Sequence, residues 1–208
     1  RHIFMKLTTL SLALTLALSG LAQAQTPAQT PASLPASSEP TAFTMSSGTE
    51  RTAEQLAMIF EKADLSLKLD PQTRSVSGNA VLNFKANAVL KRLVLELDKN
   101  LKIESVSING KALPGEAISN PDGRLFLSLD QVMNKGEIAE VNIRYQGVPR
   151  IAKRAPWDGG FVWSQTSTGA PWIASAVQGE GCDLFWPCID HPMGKPQLMS
   201  LHIAVPSP

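Results

Sequence analysis

The side chains able to do chemistry are few and sit late in the chain. Cys182 and Cys188 stand six apart, His191 follows closely, and His202 comes eleven residues later with no carboxylate between the two histidines. A hydrolytic zinc centre needs about three protein ligands and an open position, so the histidines alone cannot build one. A Cys182/Cys188/His191 set has wider cysteine spacing than the C-x-x-C type of structural zinc motifs. Nucleophilic catalysis finds no support in Cys188 and His191, because a catalytic histidine is normally brought in by the fold, not by sequence adjacency. G-x-S-x-G and phosphate-cradling glycine loops are absent. The sequence therefore assigns no catalytic residue and no metal ligand to this chain. In an oxidising compartment the two cysteines could pair and close a small loop stiffened by Pro187; the sequence leaves that open.

These residues lie in a stretch with its own texture. After Gly147 regular alternation stops, and Trp157, Trp163, Trp172 and Trp186 all appear, accompanied by Gly159, Gly160, Gly169, Gly179 and Gly181. Such loops tend to carry function, although tryptophans also fill cores and interfaces. Ahead of them the period is two. Ala63, Leu65, Leu67 and Leu69 alternate with polar residues, Asp70-Pro71-Gln72-Thr73 reads as a turn, and Val76, Ala80, Leu82 and Phe84 line a second strand. Leu93, Leu95 and Leu97 alternate with Val94, Glu96 and Asp98. Val106 and Ile108 lead into Asn109-Gly110, a strong hairpin signal because both central residues must take positive φ. Leu125, Leu127 and Leu129, then Ala139, Val141, Ile143 and Tyr145, complete the set. A short helical or irregular lead-in spans Thr52 to Ala57. Several short strands at roughly ten-residue spacing, with no long helix between them, predict an all-β fold, an antiparallel β-sandwich over residues 50–208.

The first quarter is a different kind of sequence. Only Arg1, Lys6 and Glu39 are charged in the first 49 residues. From Met5, Lys6 supplies a positive start, Leu10 to Leu18 a short apolar run, and Ala22-Gln23-Ala24 a small-x-small cleavage site, so residues 1–24 read as upstream residues plus a secretory signal peptide cut before Gln25. Arg1 to Phe4 fit no signal-peptide scheme and look like upstream sequence joined to the true start. The apolar run is shorter than the ~20 residues a membrane span needs. Residues 25–49, rich in Pro, Ala and Ser, read as a disordered linker. The protein is thus expected to be exported, periplasmic or secreted. With 19 basic against 18 acidic side chains, a net charge of +1 offers no polyanion-binding surface, so nucleic acid is not the expected partner.

The string from Gln178 to Pro192, QGEGCDLFWPCIDHP, resembles a segment near the end of the N-terminal domain of aminopeptidase N-type zinc metallopeptidases, the gluzincin aminopeptidases that include leukotriene hydrolase. The family pattern, an apolar or aromatic residue followed by Pro-Cys-x-Asp-x-Pro, falls on Trp186, Pro187, Cys188, Asp190 and Pro192. Ala63–Leu69, Val76–Phe84, Ile108-Asn109-Gly110 and Ile143 to Gly147 fall in the family's order, so the resemblance covers roughly residues 58–208. His191 departs from the glutamate many members carry. The resemblance implies an enzyme that removes N-terminal residues from peptides with one zinc ion. The G-A-M-E-N loop, H-E-x-x-H helix and third zinc ligand are absent here, so zinc and catalysis are expected in a catalytic domain of the same polypeptide beyond Pro208. This chain is expected to be a non-catalytic fragment, cut inside its N-terminal domain. The resemblance also places Gln178 where the family helps hold the substrate ammonium, with Glu180 on the same side if the segment is extended; both are expected to bind substrate. The alternative is a secreted, non-catalytic β-sandwich that binds a ligand through its tryptophan-rich loops.

Overall fold

The computed structural model describes residues 39–206. The expected signal peptide (1–24) and residues 25–38 of the expected linker lie outside the described residues. Residues 39–48 were also read as linker, yet they pack on the domain. Thr44 is buried, the Arg124 guanidinium lies 4.4 Å over the Phe43 ring, and the Thr41 hydroxyl donates to the Asp122 carbonyl. A composition poor in apolar residues hides this, because the attachment is by hydrogen bonds, the ion pairs of Glu39 with Arg150 and Lys153, and one cation–π contact.

Thr52 starts the first element. Its hydroxyl accepts from the Gln55 N–H (3.2 Å) while the Gln55 side chain accepts from the Thr52 N–H (2.9 Å), a reciprocal cap on α1 (Ala53–Leu56). The strands then follow as β1 (Met58–Asp70), β2 (Ser75–Ala86), β3 (Leu90–Glu96), β4 (Leu101–Ile108), β5 (Lys111–Ala112), β6 (Ile118–Ser119), β7 (Arg124–Met133), β8 (Ile138–Gly147), β9 (Gly160–Gln165), β10 (Pro171–Ala176) and β11 (Leu198–Ala204). The Asp70 carboxylate accepts from the Gln72 and Thr73 N–H groups and closes the β1–β2 turn. Asn109 and Gly110 take φ 51° and 77°, as the hairpin into β5 requires.

Two sheets face each other. The larger has the order β11-β1-β2-β8-β4-β5 and the smaller β3-β7-β6. Ala63, Leu65, Leu82, Phe84, Val141 and Ile143 from the first meet Leu93, Leu95, Leu125 and Leu127 from the second in one core. The alternating residues of β1, β2 and β8 thus face as the period-two reading placed them. Three features differ from that reading. β11 pairs in parallel with β1, from Lys62 opposite Leu198 to Lys68 opposite Ala204, so the large sheet is mixed rather than antiparallel. β9 and β10 form a separate two-stranded sheet in the region where alternation stops. And the alternation from Leu93 to Asp98 does not separate a dry face from a wet one: Val94 and Glu96 at the end of β3, and Asp98 just beyond it, are buried together with Leu93, Leu95 and Leu97, because a later segment covers the second face.

Tyr145 on β8 is 1% exposed and lies against Gly78 of β2, directly opposite in register. A Cβ on Gly78 would fall inside the ring. The phenol donates to the Phe185 carbonyl at 3.0 Å and so ties the large sheet to the covering segment. Gly78→Ala is expected to destabilise the domain by at least about 1–3 kcal/mol, the usual range for overpacking. Tyr145→Phe, which leaves a buried carbonyl unpaired, is expected to lose about 1–3 kcal/mol. Chemical denaturation of both variants checks this, and an unchanged midpoint for Gly78→Ala would mean the ring is not seated there.

Candidate functional site

The covering segment carries the motif. Cys182 and Cys188 are joined in a disulfide with Cα atoms 6.3 Å apart, which settles the pairing the sequence left open. Inside the closed loop, Leu184 and Phe185 pack with Leu69, Val76 and Phe161 in a second apolar cluster, against which Trp163, Ile173 and Trp186 lie. Backbone pairing fixes the loop to β3: Glu96 and Cys188 exchange both N–H···O bonds at 2.8 and 3.0 Å, and the Asp98 N–H donates to the Asp183 carbonyl at 2.9 Å.

Gln178 and Glu180 do not share a side. The expectation held only for an extended segment, and residues 178–180 form a turn, closed by the Gly181 N–H donating to the Val177 carbonyl at 3.1 Å, with Gly179 and Gly181 at φ 87° and 88°. Gln178 points to solvent. Glu180 is 8% exposed; its carboxylate accepts from the Gly159 N–H and meets Arg150 Nη1 at 3.3 Å. Arg150 is itself buried, donates to the Gly159 carbonyl at 2.6 Å, and has Glu39 and Asp158 carboxylates at 3.9 and 4.0 Å. On the other flank the Ser47 N–H donates to the Gly179 carbonyl at 3.2 Å. The Ser47 hydroxyl donates to Asp190, whose carboxylate also accepts from the Cys182 N–H. The turn under Gln178 is thus held from β9's approach, from the N-terminal arm and from the disulfide loop.

Sequence reasoning missed Arg150, Glu39 and Ser47, since an ion pair between distant loops has no periodicity. The tryptophans divide: Trp163 and Trp186 pack on the apolar clusters, while Trp157 and Trp172 are 69% and 57% exposed. Beside the turn, Val177, Trp186, Ile189 and Met199 line a cleft of about 470 Å³, with Asp190, His191 and Lys195 at its edge. His191 accepts from the Met193 N–H through Nδ1 at 3.0 Å. Among the described residues no three His, Cys, Asp or Glu side chains stand where they could hold a metal ion.

Four carboxyl groups gather under the disulfide loop. Burial, and then the charges of Asp190, Glu96 and Asp98, push Asp183 up to about 9. Burial likewise raises Glu96, Asp98 and Asp190. Gln55 donates to Glu96 at 2.6 Å and the Asp190 N–H to its other oxygen at 3.0 Å, whereas Asp183 Oδ1 has no partner among the described residues. A buried carboxyl in this company keeps its proton.

The sequence matches no protein-family model and no curated protein. Solved structures do match. An M1 zinc metallopeptidase mutant from Deinococcus radiodurans, bound to a Tyr-Ser-Ala substrate, superposes with a TM-score of 0.55 at 22% identity over 72% of this chain and 33% of that one. A two-domain M1 zinc metallopeptidase mutant bound to L-arginine gives 0.58 at 21% identity, covering 78% of this chain and 36% of that one. Native leukotriene A4 hydrolase from Saccharomyces cerevisiae gives 0.57 at 18% identity over 77% and 26%. The chain has the fold of an aminopeptidase N-like N-terminal domain and spans about a third of the length of the metallopeptidase chains it matches.

The carboxyl cluster sets a pH dependence. Asp183 ordinarily ionises at 3.8, so between there and about 9 the folded chain holds a proton that the unfolded chain releases. Stability from this group is complete at the acid end of that window and declines as pH rises through it. The melting temperature is expected to fall between pH 6 and pH 9, and Asp183→Asn to shrink that fall while raising the melting temperature at pH 9. Equal slopes for the two proteins, measured by circular dichroism, would contradict the buried proton.

Proposed function

We propose that this chain is the N-terminal, non-catalytic part of an exported zinc aminopeptidase that removes N-terminal residues from peptides, and that its Gln178 turn helps hold the substrate's N-terminus. The fold shared with zinc metallopeptidases supports the general reading, and the tripeptide bound to one of them supports peptide as the substrate class. The observation that carries the site is Gln178 itself, exposed on a turn fixed from three sides. Zinc would be held by residues outside this sequence, in a catalytic domain of the same polypeptide, and the residues described here take no part in any step at the metal.

The chemistry of the turn is recognition. A free N-terminus differs from an internal peptide bond by a compact ammonium that only donates. The Gln178 carbonyl oxygen can accept from it, and a charge-assisted bond of this kind contributes about 1.5–3 kcal/mol. Glu180 belongs to the same substrate-binding turn, but Gly159 and Arg150 already occupy its carboxylate; its part is to hold Gln178 in place and to add negative potential nearby. A turn that is already ordered loses little entropy when ligand arrives. Export is supported by the Cys182–Cys188 disulfide, which persists in oxidising compartments. Among the described residues no helix is long and apolar enough to cross a membrane. A second reading, a secreted ligand-binding module, is favoured by the exposure of Trp157 and Trp172.

The test is an in-frame protein that joins this chain to a catalytic domain bearing H-E-x-x-H. Gln178→Ala is expected to lower kcat/KM on free-amine peptide substrates at least severalfold with zinc content and melting unchanged. Glu180→Ala is expected to lower both kcat/KM and the melting temperature. Full activity in Gln178→Ala would remove the assignment. The 208-residue chain alone is expected neither to retain stoichiometric zinc nor to cleave aminoacyl anilides; chelator-sensitive hydrolysis by a clean preparation would overturn the division of labour.

A further inference from the structure

The face of the large sheet that points away from the core has no role in the reading above. Directly opposed residues of neighbouring strands share a face, and the register lays one row across five strands: His202, Ser66, Asn79, Arg144 and Ser105. In the next row Lys68 stands opposite Ser77. Serine and asparagine in the centre of a sheet contribute little strand propensity. Here their small side chains leave a hollow of about 430 Å³ on the polar face, floored by Ser66, Ser77 and Asn79.

Two cations line its walls. Lys68 on β1 and Arg144 on β8 flank β2 from either side and line the hollow, as does His202 on β11. The one carboxylate in the lining is Glu104. Nearby on this face the Asp64 carboxylate lies 3.6 Å from Lys62 Nζ and 3.4 Å from His202 Nε2. Neither Lys68 nor Arg144 makes an ion pair among the described residues. Adjacent strands lie about 4.8 Å apart, so long side chains rising from β1 and β8 can converge over the strand between them. A guanidinium presents a fork of donors, an ammonium several more, and the floor adds two hydroxyls and an amide.

We propose that this hollow binds a small ligand through an oxyanion group, a phosphate or a carboxylate, held between Lys68 and Arg144 over Ser66, Ser77 and Asn79. The inference does not depend on the peptidase reading, since it concerns the opposite face of the sheet from the core and the disulfide loop.

The test titrates the 208-residue protein with inorganic phosphate and, separately, with citrate, at constant ionic strength, followed by amide chemical shifts. Saturable one-site binding of either probe, with shifts centred on Ser66, Ser77, Asn79 and Arg144, is the expected result. The probe that binds tells phosphate from carboxylate, and binding of neither overturns the proposal. Arg144→Gln and Lys68→Gln are each expected to weaken binding at least threefold, while Lys91→Gln, at an exposed position of β3, is expected to leave it unchanged. Ser77→Leu fills the hollow without changing charge and is expected to abolish binding with the melting temperature retained. Binding that survives both Ser77→Leu and Arg144→Gln would be general attraction to basic side chains and would sink the site.

Discussion

Two hydrogen bonds between Glu96 and Cys188 join parts of the chain that are far apart in sequence, and much else follows from them. A strand that receives a second chain segment on its outer side must bury whatever that side carries. Here it carries Glu96 and Asp98, and the incoming segment brings Asp183 and Asp190. Four carboxyl groups in one low-dielectric space cannot all ionise, so the site has to find donors or keep protons. Gln55, Asn100 and the Asp190 N–H serve as donors to Glu96 and Asp98. Asp183 keeps its proton.

The disulfide and Arg150 make that arrangement affordable in entropy and charge. Closing a short loop removes freedom from the unfolded chain, and Leu184 and Phe185, which lie inside that loop, then enter the second apolar cluster with their backbone already constrained. Arg150 does for the glycine-rich turn what the donors do for Glu96. One buried guanidinium faces three carboxylates and a carbonyl, so that loops with little apolar surface of their own acquire a fixed geometry. The arm from Glu39 to Gly48 is attached through the same charges and the same turn.

The sequence made legible what period and turn chemistry govern. β1, β2, β7 and β8 showed themselves because one face is dry and the other wet, and Asn109-Gly110 because few residues accept that backbone. β3 alternates as well, but alternation shows which residues differ and not whether water reaches the polar ones. β9 and β10 escaped because Phe161, Val162 and Trp163 run together, with Phe161, Trp163 and Ile173 on one face and Val162, Ala174 and Trp172 on the other, so that both faces carry apolar residues. At the candidate site the position of Gln178 came through a motif. The parting of Gln178 from Glu180 did not, since it rests on two glycines at positive φ and on an arginine far away in sequence.

The parallel ladder between β1 and β11 unites the start of the folded region with its end. Every other ladder of the large sheet can form from nearer segments, whereas this one must close the largest chain loop before its first hydrogen bond forms. Its residues add little burial in return: Leu198, Leu201 and Ile203 remain more than half exposed. A ladder with a high closure entropy and a small apolar reward is assembled last and opened first. The backbone amides of β11 therefore belong to a separate, weaker cooperative unit, one that exchanges with solvent deuterium while the sandwich behind it stays shut.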